Sequence, residues 1–249
     1  MSSNNLTCKV ALITGAARRI GAAIATRLHQ DGANVAIHYR GSRDAATALA
    51  QRLNSLRPAS AATFQADLND TARLPELLAA VVEWGGRLDI LVNNASSFYP
   101  TPPGEITEAQ WNDLIGSNLK APLFLSQAAL KELRATKGAI VNIVDIHAQR
   151  PLANHTVYGP AKAGLAMLTR SLAKDLAPAI RVNGISPGAI LWPEDDMSDA
   201  TKRSILRQVP LGRPGSPEDI AGCVLYLVRD ATYVTGQIIA VDGGRSVGW

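Results

Sequence analysis

The chain has 249 residues, of which 47% are hydrophobic and 18% are charged, and its formal net charge is +4. A chain of this length buries roughly 70–75% of the surface that it exposes when unfolded, which allows a large core. No stretch approaches the roughly 20 consecutive apolar residues of a membrane-spanning helix. The composition therefore excludes transmembrane, collagenous and disordered classes. The first five residues lack the features of a secretory signal, so we expect a cytoplasmic protein.

The cysteines and the dispersed charges argue against a zinc site and against nucleic-acid binding. Cys8 and Cys223 are far apart, and no paired Cys/His spacing suggests zinc. We expect both thiols to be buried in a reducing compartment. The basic residues are spread along the chain, whereas a nucleic-acid binder concentrates them on one face. The charge balance favours anionic small molecules as ligands.

Short apolar runs alternate with Ala- and Leu-rich segments of helical length. The predicted strands are 10–14, 34–39, 63–65, 88–92, 139–144, 181–185 and 237–241. The predicted helices are 18–31, 45–57, 74–84, 108–134, 157–176 and 217–229, and the fourth is expected to break near Pro122. This alternation predicts one α/β domain over residues 1–249, a doubly wound Rossmann-type fold with a parallel sheet flanked by helices. An irregular stretch at 188–198 predicts a substrate loop over about residues 188–208.

A glycine-rich turn, TGAARRIG at residues 14–21, joins the first predicted strand to the first helix. Glycines in this position let backbone N–H groups approach a pyrophosphate, whose charge the helix N-terminus also favours. The turn therefore predicts a dinucleotide site. Arg19 stands where a second glycine is expected. It would lie beside the pyrophosphate and over the substrate pocket, unless it is an ordinary surface arginine.

The end of the second predicted strand favours NADP(H) over NAD(H). An NAD site places Asp or Glu there, whereas this chain has Tyr39, Arg40 and Ser42. A guanidinium and a hydroxyl suit a phosphate, and Arg18 would complete a basic pocket. Ordinary helix-capping polarity is the alternative. Farther along the same carboxyl edge of the sheet, the pair 67–68 is expected to meet the adenine.

Tyr158 and Lys162 stand four residues apart, so a helix places both side chains on one face. A nearby ammonium favours the phenolate and is expected to lower the tyrosine pKa, and it can also hold a ribose hydroxyl. The spacing occurs often by chance and is a weak signal alone. Pro160 is tolerated near the start of the helix, where its missing N–H matters little.

These motifs together are similar to those of the short-chain dehydrogenase/reductase family, over essentially the whole chain. The matching segments are 14–21, 93–95, 118, 158 with 162, 186–188, 236 and 241–244. The resemblance implies that Tyr158 donates a proton, that Lys162 binds the nicotinamide ribose and that Asn118 supports a proton-relay water. It also implies a homotetramer joined through the helices 108–134 and 157–176 and the last strand. The cofactor residues that it implies, with those derived above, are Gly15, Arg18, Arg19, Ile20, Gly21, Tyr39, Arg40, Ser42, Asp67, Leu68, Asn94, Ala95, Ser96, Tyr158, Lys162, Pro187 and Gly188.

Asp145 departs from the general pattern of this family. Most members carry a serine thirteen residues before the tyrosine, where it steadies a substrate carbonyl. An ionised carboxylate would repel a developing alkoxide, so Asp145 predicts a poor ketone site. Reduction of a ring C=N is different, because the nitrogen must be protonated, and an Asp–Tyr pair can relay that proton or orient an amino-pyrimidine. A degenerate, inactive site is the alternative.

Within the family, this substitution is similar to the pteridine reductases, as are Arg19, the sequence HYR at 38–40 and the segment 94–100. The resemblance implies hydride transfer from NADPH to the pyrazine ring of a pterin, a dihydropterin or dihydrofolate. It implies that Phe98 stacks on the pterin, where the alternative is a core side chain, and that Ser96 contacts both cofactor and pterin. The substrate-binding residues implied or expected are Arg19, Ser96, Phe98, Asp145, Tyr158, Leu191 and Trp192.

Two other functions stay open at this point. One is a carbonyl reductase such as a β-ketoacyl-carrier-protein reductase, against which Asp145 argues. The other is a non-catalytic NADP(H)-binding regulator, against which Tyr158 argues because binding alone does not need it. No metal, nucleic-acid or membrane partner is predicted. The sequence does not distinguish lid, dimer-contact and core roles for Trp192, does not identify the physiological pterin or folate, and predicts no role for His147 or His155.

Overall fold

The chain forms one seven-stranded parallel sheet, seen here in a computed structural model that describes residues 5–190 and 198–247. The strand order is β3-β2-β1-β4-β5-β6-β7. The strands are β1 (Val10–Ile13), β2 (Asn34–Tyr39), β3 (Ala61–Gln65), β4 (Ile90–Asn93), β5 (Ala139–Ile143), β6 (Arg181–Pro187) and β7 (Ile238–Val241). The order reverses between β1 and β4, and open α/β sheets bind ligands in the crevice that such a reversal creates.

Helices cover both faces of the sheet, as the alternating pattern predicted. They are α1 (Arg19–Gln30), α2 (Arg43–Leu56), α3 (Leu74–Gly85), α4 (Glu108–Ile115), α5 (Ala121–Thr136), α6 (Tyr158–Leu176), α7 (Asp199–Leu206) and α8 (Pro217–Leu225). Helices α1, α2 and α8 contribute to the core on one face, and α3, α5 and α6 to the core on the other. Strands β1, β4 and β5 are buried along their whole length and are mostly apolar, because a parallel sheet is buried on both faces.

The prediction that the helix breaks near Pro122 is wrong, because the structure has a π-helical turn there and no break. The chain does not leave the helix there. It passes from α4 through a π-helical turn, Gly116–Lys120, directly into α5. Pro122 is accommodated in the first turn of α5, immediately after the widened π turn. The irregularity that the proline signalled therefore lies just before it, in the turn that carries Asn118.

Three other expectations need correction or lie outside the described residues. The expected substrate loop, 188–208, contains helix α7, which has no fully buried residue and whose sequence therefore showed no strong core-facing pattern. Leu191 and Trp192 lie outside the residues that the structure describes.

The prediction of two buried thiols is wrong, because Cys8 is exposed in the loop before β1 and Cys223 is partly buried. In the part of the chain described, no helix has the length and apolar character of a membrane span.

Candidate active site

The glycine-rich turn is clamped against the end of β4. Gly15 has a φ of +61°, and a side chain there would approach the Cα of Ala95 to 3.0 Å. A Cβ at Gly21 would lie 2.3 Å from the Gly15 carbonyl oxygen. The Thr14 hydroxyl accepts hydrogen bonds from the backbone N–H groups of Asn94 and Ala95, and the Asn94 amide donates to the Thr14 carbonyl. Only glycine fits at 15 and 21, so close packing explains both.

Beside this turn lies a cavity of about 530 Å³, a size typical of ligand pockets. It brings together thirteen of the predicted cofactor residues, namely Gly15, Arg18, Arg19, Ile20, Gly21, Tyr39, Arg40, Ser42, Asp67, Leu68, Asn94, Ala95 and Ser96. The sequence analysis did not assign Ala17, His38, Gly41, Asn69, Ser97 and Ser117, which also line it. Tyr158, Lys162, Pro187 and Gly188 do not line this cavity. Tyr158 and Lys162 lie on α6, Pro187 is the last residue of β6 and Gly188 follows it.

Cationic side chains surround the mouth of the cavity near the end of β2. Arg18 and Arg19 are exposed on the turn, and the side chain of Arg40 is 61% exposed, with its guanidinium 3.8 Å from the carboxylate of Asp113. Ser42 precedes α2, yet its hydroxyl makes no capping hydrogen bond. The arrangement offers guanidinium and hydroxyl donors to a phosphate, and the end of β2 carries no carboxylate of its own.

Asp145 and Tyr158 meet at the carboxyl end of β5. The Tyr158 hydroxyl donates a 2.8 Å hydrogen bond to Asp145 Oδ2, and the backbone N–H of His147 donates to Oδ1, also at 2.8 Å. Asp145 thereby caps the short 3₁₀ turn Ile146–Ala148. Both carboxyl oxygens of Asp145 therefore have a donor, and the phenol that donates to Oδ2 carries its proton.

Burial governs the ionisation of the two groups on α6. Burial, followed by the charge and the hydrogen bond of Asp145, raises the pKa of Tyr158 well above its usual value, while a hydrogen bond with Ser96 lowers it. The prediction that Lys162 lowers this pKa overall is therefore wrong in this structure. Burial lowers the pKa of Lys162 itself to about 8, against the attraction of Asp145. The Lys162 ammonium donates to the Ile143 carbonyl at 2.9 Å.

Asn118 is fully buried in the π-helical turn and fixes the segment after β4. Its amide donates to the carbonyls of Ser97 and Leu114, at 2.9 and 3.0 Å. Its Oδ1 accepts a 2.7 Å hydrogen bond from the Ser96 hydroxyl. Ser96 thus lies between Asn118 and Tyr158, which joins the cofactor cavity to the tyrosine.

Phe98 projects beside the tyrosine. It is 54% exposed, so the alternative of a core side chain is wrong. Its ring stacks on His155 at 4.7 Å and meets Tyr158 edge-on at 4.8 Å. Thr101 pairs with His155 in an isolated parallel bridge, which ties the two segments together. The sequence analysis assigned nothing to His155, because only the pairing of these two loops makes it a neighbour of Phe98.

Comparison with known proteins places these features in a context. Residues 15–246 match the family described as enoyl-(acyl carrier protein) reductase. In an alignment 282 positions long, the chain is 42% identical to pteridine reductase 1 of Leishmania tarentolae, and the alignment covers 97% of each chain. It is 38% identical over 240 residues to the 3-oxoacyl-[acyl-carrier-protein] reductase FabG of Staphylococcus aureus, covering 95% of this chain and 97% of that one.

Proposed function

The chain belongs to the short-chain dehydrogenase/reductase family, and from this premise we propose that it is an NADPH-dependent pteridine reductase. The substrate is a pterin, a dihydropterin or dihydrofolate. A ring C=N becomes CH–NH: hydride is added to the carbon, a proton is added to the nitrogen, and NADPH is oxidised to NADP⁺. The observation that carries the proposal is the hydrogen bond from Tyr158 to the carboxylate of Asp145.

NADPH supplies the hydride when it is bound, and the residues around the cavity suit it. The turn at Gly15 and Gly21 brings backbone close to the sheet edge, as a pyrophosphate site requires. Arg18, Arg40 and Ser42 offer donors for a 2′-phosphate. Lys162, buried beside Tyr158, is proposed to hold the nicotinamide ribose, and the buried Asn118 is proposed to support a relay water.

An aspartate at position 145, in place of a hydroxyl, argues for an imine substrate over a ketone. A ketone gains negative charge on oxygen as hydride arrives, and a carboxylate beside that oxygen opposes the charge. A ring nitrogen is protonated instead. The Tyr158 proton, which points to Asp145 in this structure, is proposed to pass to that nitrogen when the substrate binds. Asp145 also offers acceptor capacity to an amino-pyrimidine edge. The exposed ring of Phe98 beside Tyr158 offers a stacking surface to a flat heterocycle.

A carbonyl reductase is the second candidate, since the chain is also 38% identical to a 3-oxoacyl-[acyl-carrier-protein] reductase. Purified protein is tested in parallel with NADPH and dihydrobiopterin, dihydrofolate or an acetoacetyl thioester, and the loss of reduced nicotinamide is followed by absorbance. We expect turnover of a pterin or folate and none of the thioester. Turnover of the thioester alone contradicts the proposal. Binding of NADPH with no turnover of any of the three supports a non-catalytic regulator.

Cofactor preference is tested at Arg40. The change Arg40→Glu places a carboxylate where the 2′-phosphate is proposed to lie, so NADPH binding weakens by at least about tenfold while NADH binding changes little. Dissociation constants are measured for both cofactors by quenching of protein fluorescence. Equal losses for the two cofactors mean that the 2′-phosphate lies elsewhere. Arg43→Glu, at the next arginine along the chain, controls for a general change of charge.

A further inference from the structure

His38 is a buried residue to which the proposed reaction gives no task. It lies in β2, is 1% exposed and lines the cofactor cavity. The backbone N–H of Gly15 donates to its Nδ1 at 3.1 Å, and its Nε2 lies 3.2 Å from the carbonyl oxygen of Ala66. A backbone N–H only donates and a carbonyl only accepts. The ring must therefore be neutral, with its proton on Nε2.

These bonds join the ends of three neighbouring strands. Gly15 lies in the turn after β1, and Ala66 follows β3 and leads into Asp67, which also lines the cavity. The His38 carbonyl adds a third bond, because it accepts from the backbone N–H of Ala16 at 2.9 Å. One residue thus holds the turn on one side of the cavity and the proposed adenine contact on the other.

The surroundings keep the ring in its neutral form. Burial lowers the pKa of His38 to about 4, although the Ala66 carbonyl and the Asp67 carboxylate both favour the protonated form. The Nδ1 lone pair is therefore available to the Gly15 N–H across the neutral range. Gly15 has a left-handed backbone and packs closely on Ala95, and its N–H is directed at this lone pair.

We propose that His38 is a positioning residue for the dinucleotide: it fixes the Gly15 turn and the Ala66–Asp67 segment at the spacing that the cofactor requires. This inference rests on the proposed function only in that a dinucleotide binds at this turn. Without the ring, the partly buried Gly15 N–H has no partner, and the turn shifts to satisfy it. The loss then appears in cofactor affinity and leaves the chemical step unchanged.

The test compares NADPH dissociation constants by fluorescence quenching, which needs no turnover. His38→Leu removes both ring nitrogens, and we expect binding to weaken at least about tenfold, equivalent to about 1.4 kcal/mol. His38→Asn carries an amide oxygen as far from Cβ as Nδ1 is, so it restores an acceptor for Gly15 but not the bond to Ala66. We expect it to bind NADPH more tightly than His38→Leu and less tightly than wild type. Where the enzyme turns over, KM for NADPH rises and kcat stays.

The matched control is His29→Leu, which removes another buried histidine, hydrogen-bonded to Ser60 and remote from the cavity. It lowers Tm and leaves the dissociation constant unchanged. If His38→Leu does not fold, His38→Gln is used in its place. The glutamine amide lies one methylene farther from the backbone than the asparagine amide, so we expect His38→Gln to bind NADPH more weakly than His38→Asn. Unchanged affinity in a folded His38→Leu, or no difference between the amide variants, overturns the inference. Should wild type bind only NADH, the cofactor proposal fails and the same comparison is made with NADH.

Discussion

Arg19 holds a backbone conformation that usually belongs to glycine. Its φ is +52°, in the left-handed region, and its side chain is exposed at the mouth of the cofactor cavity. Such a conformation disfavours an L-residue by about 1–2 kcal/mol. Strained residues of this kind cluster at functional sites, where the side chain has a task that offsets the strain. The proposed task here is contact with both the pyrophosphate and the substrate.

The change Arg19→Gly removes the backbone strain at this position together with the side chain that is proposed to contact the pyrophosphate and the substrate. We expect the free energy of unfolding to stay the same or rise by up to about 1 kcal/mol, because glycine tolerates the backbone but loosens the unfolded chain. KM for NADPH and for the pterin should rise. The control is Arg18→Gly, next to it in extended conformation, where glycine brings only the entropic loss and lowers stability. A loss of stability in Arg19→Gly equal to that of Arg18→Gly contradicts the argument. Urea unfolding measures both.

Asp145 is the residue on which the proposed choice of substrate depends. Asp145→Ser keeps an N-cap oxygen for the 3₁₀ turn, since serine caps as well as aspartate, so the fold is expected to persist. It removes the carboxylate from Tyr158. We expect kcat/KM for the pterin to fall about 10²-fold, within the range that proton delivery contributes, with NADPH affinity within about twofold. Pterin turnover retained at the wild-type rate refutes the proton-relay role. Asp145→Asn, which keeps the shape without the charge, should behave like Asp145→Ser.

At the scale of elements, the region from α4 to α5 shows what sequence patterns miss. Pro122 correctly marks an irregularity, yet periodicity cannot distinguish a helix break from a single π-helical turn, because both shift the apolar pattern by a fraction of a turn. The strands and the remaining long helices were predictable because each buries a continuous or periodic apolar face. Helix α7 has no fully buried residue and so gave no such pattern.

The pairing between the Phe98 loop and the segment before α6 was likewise invisible in the sequence. It depends on Thr101, which is fully buried and whose hydroxyl accepts from the backbone N–H of Val157 at 3.3 Å. Val157 immediately precedes Tyr158, so this bond sets where α6 begins. This bond, together with the ring contacts of Phe98, holds the loop that carries Phe98 against the helix that carries Tyr158.

Thr101→Val removes that bond while keeping the side-chain shape. The buried N–H of Val157 is left without a partner, and we expect a loss of stability of about 1–3 kcal/mol. Thermal unfolding measures this loss, and kcat with the pterin should fall as Tyr158 and Phe98 separate. Thr101→Ser keeps the hydroxyl and loses only a methyl group, so it should lose stability but keep kcat. The same kcat in the two variants means that the bond positions nothing.

At the scale of the molecule, parallel strands bring residues far apart in sequence to one edge. The sequence allowed most of the proposed cofactor residues to be predicted as neighbours, because they lie at or after the ends of strands β1–β4, and all but four of them line one cavity. The raised pKa of Tyr158 could not be predicted from the sequence, because it depends on burial and on the hydrogen bond to Asp145. The same holds for His38 and His155, whose partners come from other strands and loops.

Three helices that the family resemblance places at subunit contacts each expose a large apolar side chain. Trp111 on α4 is 49% exposed, Phe124 on α5 is 37% exposed and Met167 on α6 is 59% exposed. We expect a homotetramer whose mass by light scattering is four times the 26.4 kDa of the chain. A charge buried in such a contact is strongly unfavourable, so Phe124→Glu should give smaller species. Leu56→Glu, on α2 at 67% exposure, should leave the tetramer intact. A wild-type protein that stays monomeric at micromolar concentration contradicts the expectation, and equal effects of the two changes place the contact elsewhere.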